Sequence, residues 1–541
     1  MTFLSIESVL RTLNLDTPRG CRNALTAGAV GYSTYILYRY IIYRLYLHPV
    51  NRIPGPSVDW IPFMGNMKTI LLEEPPLPQL RWTEKYGDIV AYHGLWNSPH
   101  VLITDPEILK DVLTVRHYDF IKPPDTTAFL VRFIGNGILA AEGEAHRHQR
   151  KMLNPAFSVQ TLRDMVPLMS VPAGQLRTKW LNGLRTDEWT EIDISTGLSL
   201  AALDVIGIAG FGEQFRCVQN AGTPRANRLA DAYMGIFNND FSSMWVLGFF
   251  FPILQQLPTP YNRRIRRYLQ WMQEDSRQLV ERAIEQHKNE PEQTSNNLLG
   301  LMLREIDETT GQQTTVSELQ NQCLTFLAAG HETTSVALTW CLWFLARHQD
   351  VQDELRAEIK TTFDDTDMDH PMFTDPLHSP SDYRAEEADI PNYEAIHQLK
   401  LLNNVCKETL RLIPPVSLTN RMALKDMILG QYLIPKGTVL IFSPMVTHHL
   451  KSIWGDDAAE FRPSRWNEPA AASISPYTYM PFFAGGRQCI GHRFAIIEMK
   501  IMLSFLLRDT KYTEIPGMQF QKKQQVTVRP VPSMKLRARK I

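Results

Sequence analysis

The stretch Phe482-Phe-Ala-Gly-Gly-Arg-Gln-Cys-Ile-Gly491 decides how the rest of the chain is interpreted. Its one cysteine, Cys489, lies in a glycine-rich turn, and apolar residues at helical spacing follow it. Backbone N–H groups and the dipole at the start of such a helix favour the thiolate form of a cysteine. Gly485 and Gly491 let a flat group approach the backbone closely, and Arg487 can bind a carboxylate through several donors. Together these features predict a haem held by Cys489.

Two simpler interpretations of Cys489 are a buried structural cysteine and half of a zinc site. Cys489 and His492 have C-x-x-H spacing, but no second ligand pair with matching spacing occurs in the sequence. Covalent haem attachment would need C-x-x-C-H, and Gln488 leaves no second cysteine nearby. From Phe482 to Gly491 the stretch resembles the F-x-x-G-x-R-x-C-x-G signature of the cytochrome P450 family, which favours the haem-thiolate interpretation.

Composition excludes some classes of function. The chain has 541 residues with 44% hydrophobic content, enough for a large core, and its net charge of −1 gives no argument for a nucleic-acid partner. Its 6 cysteines are scattered without the spacing of a disulfide framework. This usage is typical of a reducing compartment.

The N-terminal region predicts a membrane anchor. Apolar residues within residues 1–13 form a helical stripe that could lie on a membrane. Residues 24–38 carry no charge, and the apolar character continues to Leu47, which is long enough to span a bilayer if Arg39 and Arg44 reach the interface. We favour an uncleaved anchor over a signal peptide, because the small residues precede the apolar core instead of following it. Arginines on both sides leave the orientation open.

Two regions follow from this pattern. Residues 1–52 are predicted to contain the amphipathic segment, the anchor helix and the start of a proline-rich hinge, and residues 53–541 a single catalytic domain without repeats. Residues 89–93 and 99–104 read as paired strands, and strand patterns return near residues 432–441 and 526–536. The remainder is mostly helical in pattern, which predicts a mainly α fold with a smaller β region.

A dinucleotide fingerprint, G-x-G-x-x-A, occurs at residues 135–140. No clear βαβ unit surrounds it, and no acidic residue in a ribose-binding context follows it. We therefore predict that the chain has no nicotinamide or flavin site of its own.

Residues 143–157 read as a basic helix that ends near Pro155. In the cytochrome P450 family a W-x-x-x-R pair at this place reaches the haem propionates. By this resemblance Arg150 keeps the arginine, and His146 replaces the tryptophan. Arg421 matches the family's second propionate arginine by context. The alternative for the helix is an ordinary solvated basic face.

A long helix is predicted between Thr315 and Arg347. Thr315-Val-Ser-Glu318 has capping-box spacing, and no proline interrupts the run. Its centre, residues 328–334, contains a glycine and two threonines, which are poor helix formers and can open the backbone hydrogen bonds to water or oxygen. In isolation this would be an ordinary kink.

The same centre resembles the family's A/G-G-x-D/E-T-T element. The resemblance implies that Ala329 and Gly330 lie against the haem and that Thr333 donates a hydrogen bond to oxygen held there. It also implies that Glu332 relays protons, while the thiolate donates electron density from the opposite face. This acid–alcohol pair favours a monooxygenase over a protein that only binds haem.

Glu408-Thr-Leu-Arg411 places an acid and a base on one helix face. Alone, this would be a surface ion pair. With Arg465 downstream it resembles the family's E-x-x-R plus arginine triad, whose implied role is structural.

Two further segments and the substrate pocket also have sequence-based predictions. Residues 237–260, rich in apolar side chains, are either core or a membrane-touching lid, and the acidic residues 364–389 read as a mobile surface insertion. The predicted substrate pocket is apolar and is drawn from residues 129–138, 237–250, 324–329 and 416–418.

The resemblance is strongest to fungal microsomal members and covers residues 53–541. It implies haem b as cofactor, and insertion of one oxygen atom from O2 into a lipophilic compound, as in secondary or lipid metabolism. Electrons would come from a separate NADPH-cytochrome P450 reductase. The chain would sit on the endoplasmic reticulum membrane with its catalytic domain in the cytosol. The candidate docking residues for the reductase are Arg147, Lys151, Arg487 and Arg493.

Two alternatives stay open at this point. One is a family member that rearranges or dehydrates its substrate without a reductase, which we would expect to lack the Glu332–Thr333 pair. The other is a membrane-anchored haem sensor or carrier without turnover.

Overall fold

The structure is a computed structural model that describes residues 17–223, 227–237, 252–289, 297–304, 314–364, 368, 370, 373 and 391–541. The predicted lid therefore falls largely outside the described residues, as do most of the acidic insertion and the amphipathic segment of residues 1–13. Helices dominate and sheets form a smaller part, as predicted.

Helices make up most of the catalytic domain and the N-terminal segment. The described α-helices are Pro18–Leu37, Met67–Leu72, Leu77–Tyr86, Pro106–Lys110, Pro124–Ile134, Gly143–Leu153, Val159–Gly183, Ile194–Val205, Cys217–Asn220, Arg228–Phe237, Pro260–Asn289, Leu298–Arg304, Val316–Arg347, Gln349–Thr362, Tyr393–Gln398, Lys400–Leu412, Pro444–Thr447, Lys451–Trp454 and His492–Arg508.

Within the described residues, the strands form four small sheets. They are β1 Ile89–His93, β2 Pro99–Ile103, β3 Phe120–Ile121, β4 Thr190–Asp193, β5 Thr419–Ala423, β6 Met427–Leu429, β7 Tyr432–Ile434, β8 Val439–Phe442, β9 Thr510–Thr513, β10 Gln521–Gln524, β11 Val528–Val531 and β12 Lys535–Lys540. The largest sheet has the order β1-β2-β8-β5-β3, in which β2 and β8 run parallel. The others are β4-β12-β9, β10-β11 and β6-β7. The antiparallel pairing of β1 with β2 confirms the predicted early strand pair.

The helix Val316–Arg347, called the central helix below, passes through the core. Its capping box is confirmed, because the Glu318 amide donates to Thr315 Oγ1 at 3.3 Å and the Thr315 amide donates to Glu318 Oε2 at 2.9 Å. Most of its side chains after Leu319 are buried in the main hydrophobic core. The α-helix is continuous through its glycine and threonines.

The N-terminal segment is only partly attached to the domain. The helix Pro18–Leu37 is largely exposed and continues as a π-helix, Tyr38–Leu47. This second part is fixed by Arg44 Nη1, which donates to the Trp96 carbonyl at 2.6 Å. Within the part of the chain that the structure describes, none of the helices combines the length and the apolar composition required to span a bilayer. The anchor stays a prediction.

A buried ion pair connects the helix Lys400–Leu412 to the region before the cysteine. Arg411 donates from Nε and Nη2 to the two carboxylate oxygens of Glu408, each at 2.9 Å, and both side chains are 0% exposed. Arg465 Nε lies 3.3 Å from Glu408 Oε1, and the Trp466 indole donates to Oε2 at 3.0 Å. The surface-pair interpretation is therefore wrong, and full burial agrees with the structural role that the resemblance implies.

We expect Glu408→Gln to lower the free energy of unfolding by about 3–5 kcal/mol, because it leaves the fully buried Arg411 without its charge partner. Urea unfolding followed by tryptophan fluorescence measures this loss. Glu144→Gln is the matched control, since Glu144 forms an i,i+3 pair with Arg147 in which the side chains are 82% and 60% exposed. The control should lose much less, and equal losses would contradict the structural role of the buried pair.

Candidate active site

A cavity of about 360 Å³ lies between the central helix and the cysteine loop, which we define as residues 482–491. With the exception of Gly485, every residue that the sequence predicts for the site lines this cavity. These residues are Phe482, Arg487, Cys489, Gly491, His146, Arg150, Arg421, Ala329, Gly330, Glu332 and Thr333.

The cysteine loop holds its sulfur at the start of a helix, as predicted. The Cys489 amide donates to the Phe482 carbonyl at 3.0 Å, and the helix His492–Arg508 begins directly after Gly491. Cys489 has accessible surface because it lines the cavity, but the protein packed around it raises the pKa of its thiol by burial. The Gly491 amide donates to the sulfur and Arg150 adds positive charge, and both lower that pKa. Burial outweighs these local donors, so binding of a metal cation would be needed to favour the thiolate.

The two predicted glycines have different roles. Gly485 has φ of +74°, and a Cβ there would lie 1.9 Å from the Leu113 carbonyl oxygen. Gly485 is thus required by close packing on the segment Asp111–Val115, and its role beside a flat group stays a prediction. Gly491 does line the cavity, where a Cβ would have only an ordinary contact, 3.7 Å from Phe157.

His448 connects the cysteine loop to the buried ion pair. Its ring is 0% exposed, with Nδ1 lying 3.0 Å from the Arg411 carbonyl and Nε2 accepting from the Met480 amide at 2.9 Å. Because a carbonyl can only accept, the ring donates from Nδ1, which fixes one neutral tautomer. Burial and the nearby Arg411 charge lower the pKa of His448 to about 3. No sequence motif marks this residue, because its partners are far from it along the chain.

Arg421 and Arg487 place positive charge at the cavity wall. Arg421 Nη1 donates to the Asn420 carbonyl at 2.6 Å, and among the described residues no carboxylate forms an ion pair with it. Burial and then the charge of Arg487 lower the pKa of Arg421 to about 10, so it stays protonated. Arg487 donates to the Glu142 carboxylate and to the Ala141 carbonyl, while its buried Nε has no partner among the described groups.

Lys122 and Glu142 belong to the same group of charges and were not found from the sequence. Lys122 lines the cavity and its Nζ lies 2.8 Å from Glu142 Oε1. Burial, followed by repulsion from Arg421, lowers the pKa of Lys122 to about 8. Burial alone would raise the pKa of Glu142, but Lys122 and Arg487 more than reverse this. A lone lysine and a lone glutamate 20 positions apart give no recognisable motif.

His146 and Arg150 project from the helix Gly143–Leu153 into the cavity. His146 is 3% exposed, so a solvated face is the wrong interpretation for it. Its Nδ1 lies 3.3 Å from the Tyr118 hydroxyl, and burial and then Arg487 lower the pKa of His146 to about 4, which makes it neutral. Arg150 Nη1 donates to the Gln488 carbonyl at 2.5 Å and so also holds the cysteine loop.

These residues fit a haem. The four cations Lys122, Arg150, Arg421 and Arg487 line the cavity. Among the described residues, Glu142 is the one carboxylate that pairs with any of them. A ligand with two carboxylates would neutralise this excess and satisfy the orphaned Nε of Arg487. A thiol faces the same cavity, as an axial ligand of a planar iron cofactor must.

The acid–alcohol pair lies on the cavity side of the central helix, but its acid is already bonded. Thr333 Oγ1 donates to the Ala329 carbonyl at 2.7 Å. Glu332 is 2% exposed, and its Oε1 accepts from Thr527 Oγ1 at 2.5 Å and from Arg529 Nε at 2.7 Å. Arg529 Nη2 also donates to Oε2. Neither Thr527 nor Arg529 was predicted from the sequence.

The rest of the cavity wall is mostly apolar. Phe129, Leu130, Phe133, Phe326 and Val416 line it, which confirms three of the four predicted pocket segments. The fourth, residues 237–250, lies almost entirely outside the described residues.

The glycines of the apparent dinucleotide fingerprint pack against the central helix. Cβ atoms at Gly135 and Gly137 would lie 2.4 Å from Asn321 Oδ1 and 2.2 Å from Thr325 Oγ1. These glycines therefore serve close packing, which agrees with the rejection of a nucleotide site.

Comparison with known proteins assigns this site to the haem-thiolate monooxygenases. A family model described as Cytochrome P450 matches residues 54–537. The chain therefore belongs to the cytochrome P450 family. Members of the family hold haem iron through a cysteine thiolate and use O2, a lipophilic substrate and a redox partner, and this chain is a cytochrome P450 monooxygenase.

Fungal proteins are prominent among its relatives. Cytochrome P450 monooxygenase 128 of Postia placenta is 31% identical over 525 residues, covering 90% of both chains. Cytochrome P450 monooxygenase sphH of Aspergillus fumigatus is 30% identical over 487 residues, covering 87% of this chain and 84% of its own. A plant relative, Cytochrome P450 72A15 of Arabidopsis thaliana, is 29% identical over 503 residues.

We expect Gly485→Ala to destabilise the protein far more than Gly517→Ala. Both glycines have positive φ, +74° and +76°, so each alanine incurs backbone strain of about 1–2 kcal/mol. Only Gly485 has a backbone oxygen where the new methyl group would lie, whereas Gly517 has nothing within 4 Å. Thermal unfolding midpoints of the two variants measure the difference, and similar midpoints would contradict the close-packing role of Gly485.

Proposed function

We propose that Cys489 is the axial ligand of haem b in this enzyme and that the cavity inserts one oxygen atom from O2 into a lipophilic molecule. The observation that carries this proposal is that Cys489, the buried cations and the Glu332–Thr333 pair all line one cavity. A structural cysteine would have no reason to face the same cavity as that pair. Haem bound here supplies the activation of O2 and the oxygen transfer.

The cations of the cavity wall bind and orient the cofactor. Arg421 and Arg487 would donate hydrogen bonds to the propionates of the cofactor. Lys122 and Arg150 would add positive charge beside them, and neutral His146 would be a further hydrogen-bond donor. Support comes from the excess of positive charge in this wall and from the buried Nε of Arg487. Because Arg150 also donates to the Gln488 carbonyl, propionate binding and loop position are coupled.

The acid–alcohol pair, Glu332 and Thr333, would deliver protons on the substrate side of the cavity. Thr333 would donate a hydrogen bond into the cavity when its hydroxyl turns away from the Ala329 carbonyl, and Glu332 would move protons toward it. Ala329 and Gly330 line the cavity beside this pair, and their small size would leave room for the cofactor. Retention of this pair supports oxygen insertion over rearrangement, dehydration or passive haem binding.

The substrate is an apolar compound of the size of a terpenoid, steroid or fatty acyl chain. The phenylalanines and leucines of the cavity wall exclude water, which suits a ligand that is recognised mainly by shape.

Electrons come from NADPH through a separate cytochrome P450 reductase. The exposed Arg147, Lys151 and Arg493 lie on the two helices next to the cysteine loop and would dock an acidic partner. Arg487 is removed from this docking set, because its side chain is 8% exposed and pairs with Glu142.

The chain is held on the cytosolic face of the endoplasmic reticulum membrane through residues 1–52, and residues 53–541 form the catalytic domain. Exposed apolar side chains on the helix Pro18–Leu37, among them Leu25, Val30 and Tyr35, support membrane contact.

The carbon-monoxide difference spectrum of the reduced protein tests the proposed ligand. We expect a strongly red-shifted Soret band for the native chain and its loss in Cys489→Ala, because thiolate ligation produces that shift. Cys406→Ala, which removes a different buried cysteine, should keep the band. A band typical of histidine ligation in the native chain would refute the proposal.

Removal of residues 1–37 tests the attachment. We expect the protein to move from the membrane fraction to the supernatant after cell lysis, while the carbon-monoxide spectrum is kept. The contact of Arg44 with the Trp96 carbonyl survives this truncation, so the domain should stay folded. A truncated protein that still sediments with membranes, yet is monodisperse in detergent, would show that another surface holds the membrane.

A further inference from the structure

Glu332 is bound by a hairpin close to the end of the sequence. We call residues 521–531, which comprise β10, β11 and the turn between them, the hairpin. Thr527 and Arg529 from the hairpin donate three hydrogen bonds to the Glu332 carboxylate. Val526, next to Thr527, lines the cavity that Glu332 also lines. The hairpin therefore contributes both to the cavity wall and to the surroundings of the acid.

The two oxygens of the Glu332 carboxylate accept different numbers of these three hydrogen bonds. Oε1 of Glu332 accepts two of them, from Thr527 and from Arg529 Nε, whereas Oε2 accepts one, from Arg529 Nη2. A carboxylate has roughly four acceptor sites, about two on each oxygen. Oε2 thus keeps one site for a proton or a water molecule. Arginine stays protonated at any physiological pH, so Arg529 cannot itself carry the proton.

The hairpin is held firmly against the central helix. The Trp340 indole donates to the Val528 carbonyl at 2.8 Å, and the Val528 amide donates to the Pro415 carbonyl at 2.9 Å. Both contacts fix the strand at the residue before Arg529. The arginine is therefore presented to Glu332 by a fixed backbone, and its side chain is only 12% exposed.

The neighbouring histidine does not compete for Glu332. His331 Nε2 lies 2.7 Å from Ser199 Oγ, on the helix Ile194–Val205 and not on the hairpin. Burial lowers the pKa of His331 to about 4, so the ring carries no charge near neutral pH. Arg529 is the cation that pairs with the acid among the described residues.

We propose that Arg529 is a positioning residue for proton delivery: together with Thr527 it fixes the orientation of the Glu332 carboxylate, and it leaves Oε2 as the oxygen with an acceptor site open for proton exchange. This inference rests on the proposed function, because it assigns the residue that supports the acid of that site. The oxygen chemistry would therefore require the hairpin, although the hairpin lies outside the motifs of the central helix and the cysteine loop.

The variants that test this are Arg529→Met, Glu332→Gln and the double variant. The matched control is Lys523→Met, because Lys523 is the residue directly opposite Arg529 in the β10–β11 register and is exposed. Each protein is purified with haem, and its carbon-monoxide spectrum confirms the thiolate site. NADPH oxidation with added reductase is then measured in H2O and in D2O without an organic substrate.

We expect the solvent isotope effect on NADPH oxidation to rise in Arg529→Met and Glu332→Gln, with rates falling by about tenfold or more, because proton delivery becomes limiting. The double variant should be no worse than either single one, and Lys523→Met should match the native protein. Urea unfolding provides a readout without turnover. There both single variants should unfold at lower urea than the native protein, and the double variant should lose less than the sum of the two.

Several results would overturn the inference. If Arg529→Met lowers stability but keeps the native isotope effect, Arg529 only fastens the hairpin. If Glu332→Gln keeps the native isotope effect with its spectrum intact, the acid does not deliver protons, although the haem-thiolate function stands. If Arg529→Met fails to fold, Arg529→Lys and Thr527→Val replace it, and native isotope effects in both would refute the role. Absence of the thiolate spectrum in the native protein would instead refute the proposed function itself.

Discussion

The buried pair of Glu408 and Arg411 is the interaction on which the geometry of the thiol side depends. Removing two charges from water is expensive, and the pair is stable because hydrogen bonds satisfy the remaining donors and acceptors. Arg411 donates to the carbonyls of His448, Ala458 and Glu460, so one side chain fixes a long irregular segment that has little regular structure of its own. His448 in turn accepts a hydrogen bond from the Met480 amide, which positions the backbone two residues before the cysteine loop.

The two walls of the cavity have opposite electrostatic problems. On the thiol wall, positive charge exceeds negative charge, and burial depresses the pKa of both Arg421 and Lys122. On the central-helix wall, the Glu332 carboxylate is buried, and Arg529 forms an ion pair with it. A dianionic cofactor would balance the positive charge of the thiol wall from inside the cavity. Arg529 of the hairpin balances the charge of Glu332 from outside the cavity. The protein therefore depends on its cofactor for charge balance on only one wall.

Local motifs were predicted well from the sequence, and long-range partners were not. The capping box at Thr315 and the turn that holds Cys489 depend on residues close together in the chain, and both are confirmed. The strand pair β1–β2 is confirmed for the same reason. In contrast, Arg529 and Lys122 stand in no motif, and their partners are set only by the packing of distant elements. Arg487 was wrongly included in a docking surface because its position in the motif gives no information about burial.

The separation of Glu332 from Arg529 by 197 positions also bears on how the chain folds. Contacts between distant parts of a chain form late, because the entropy of closing a long loop opposes them. Until the hairpin docks, the carboxylate stays hydrated on an open helix face and carries no desolvation cost. The wall that contains Val526 is therefore complete only when segments 197 positions apart along the chain have come together.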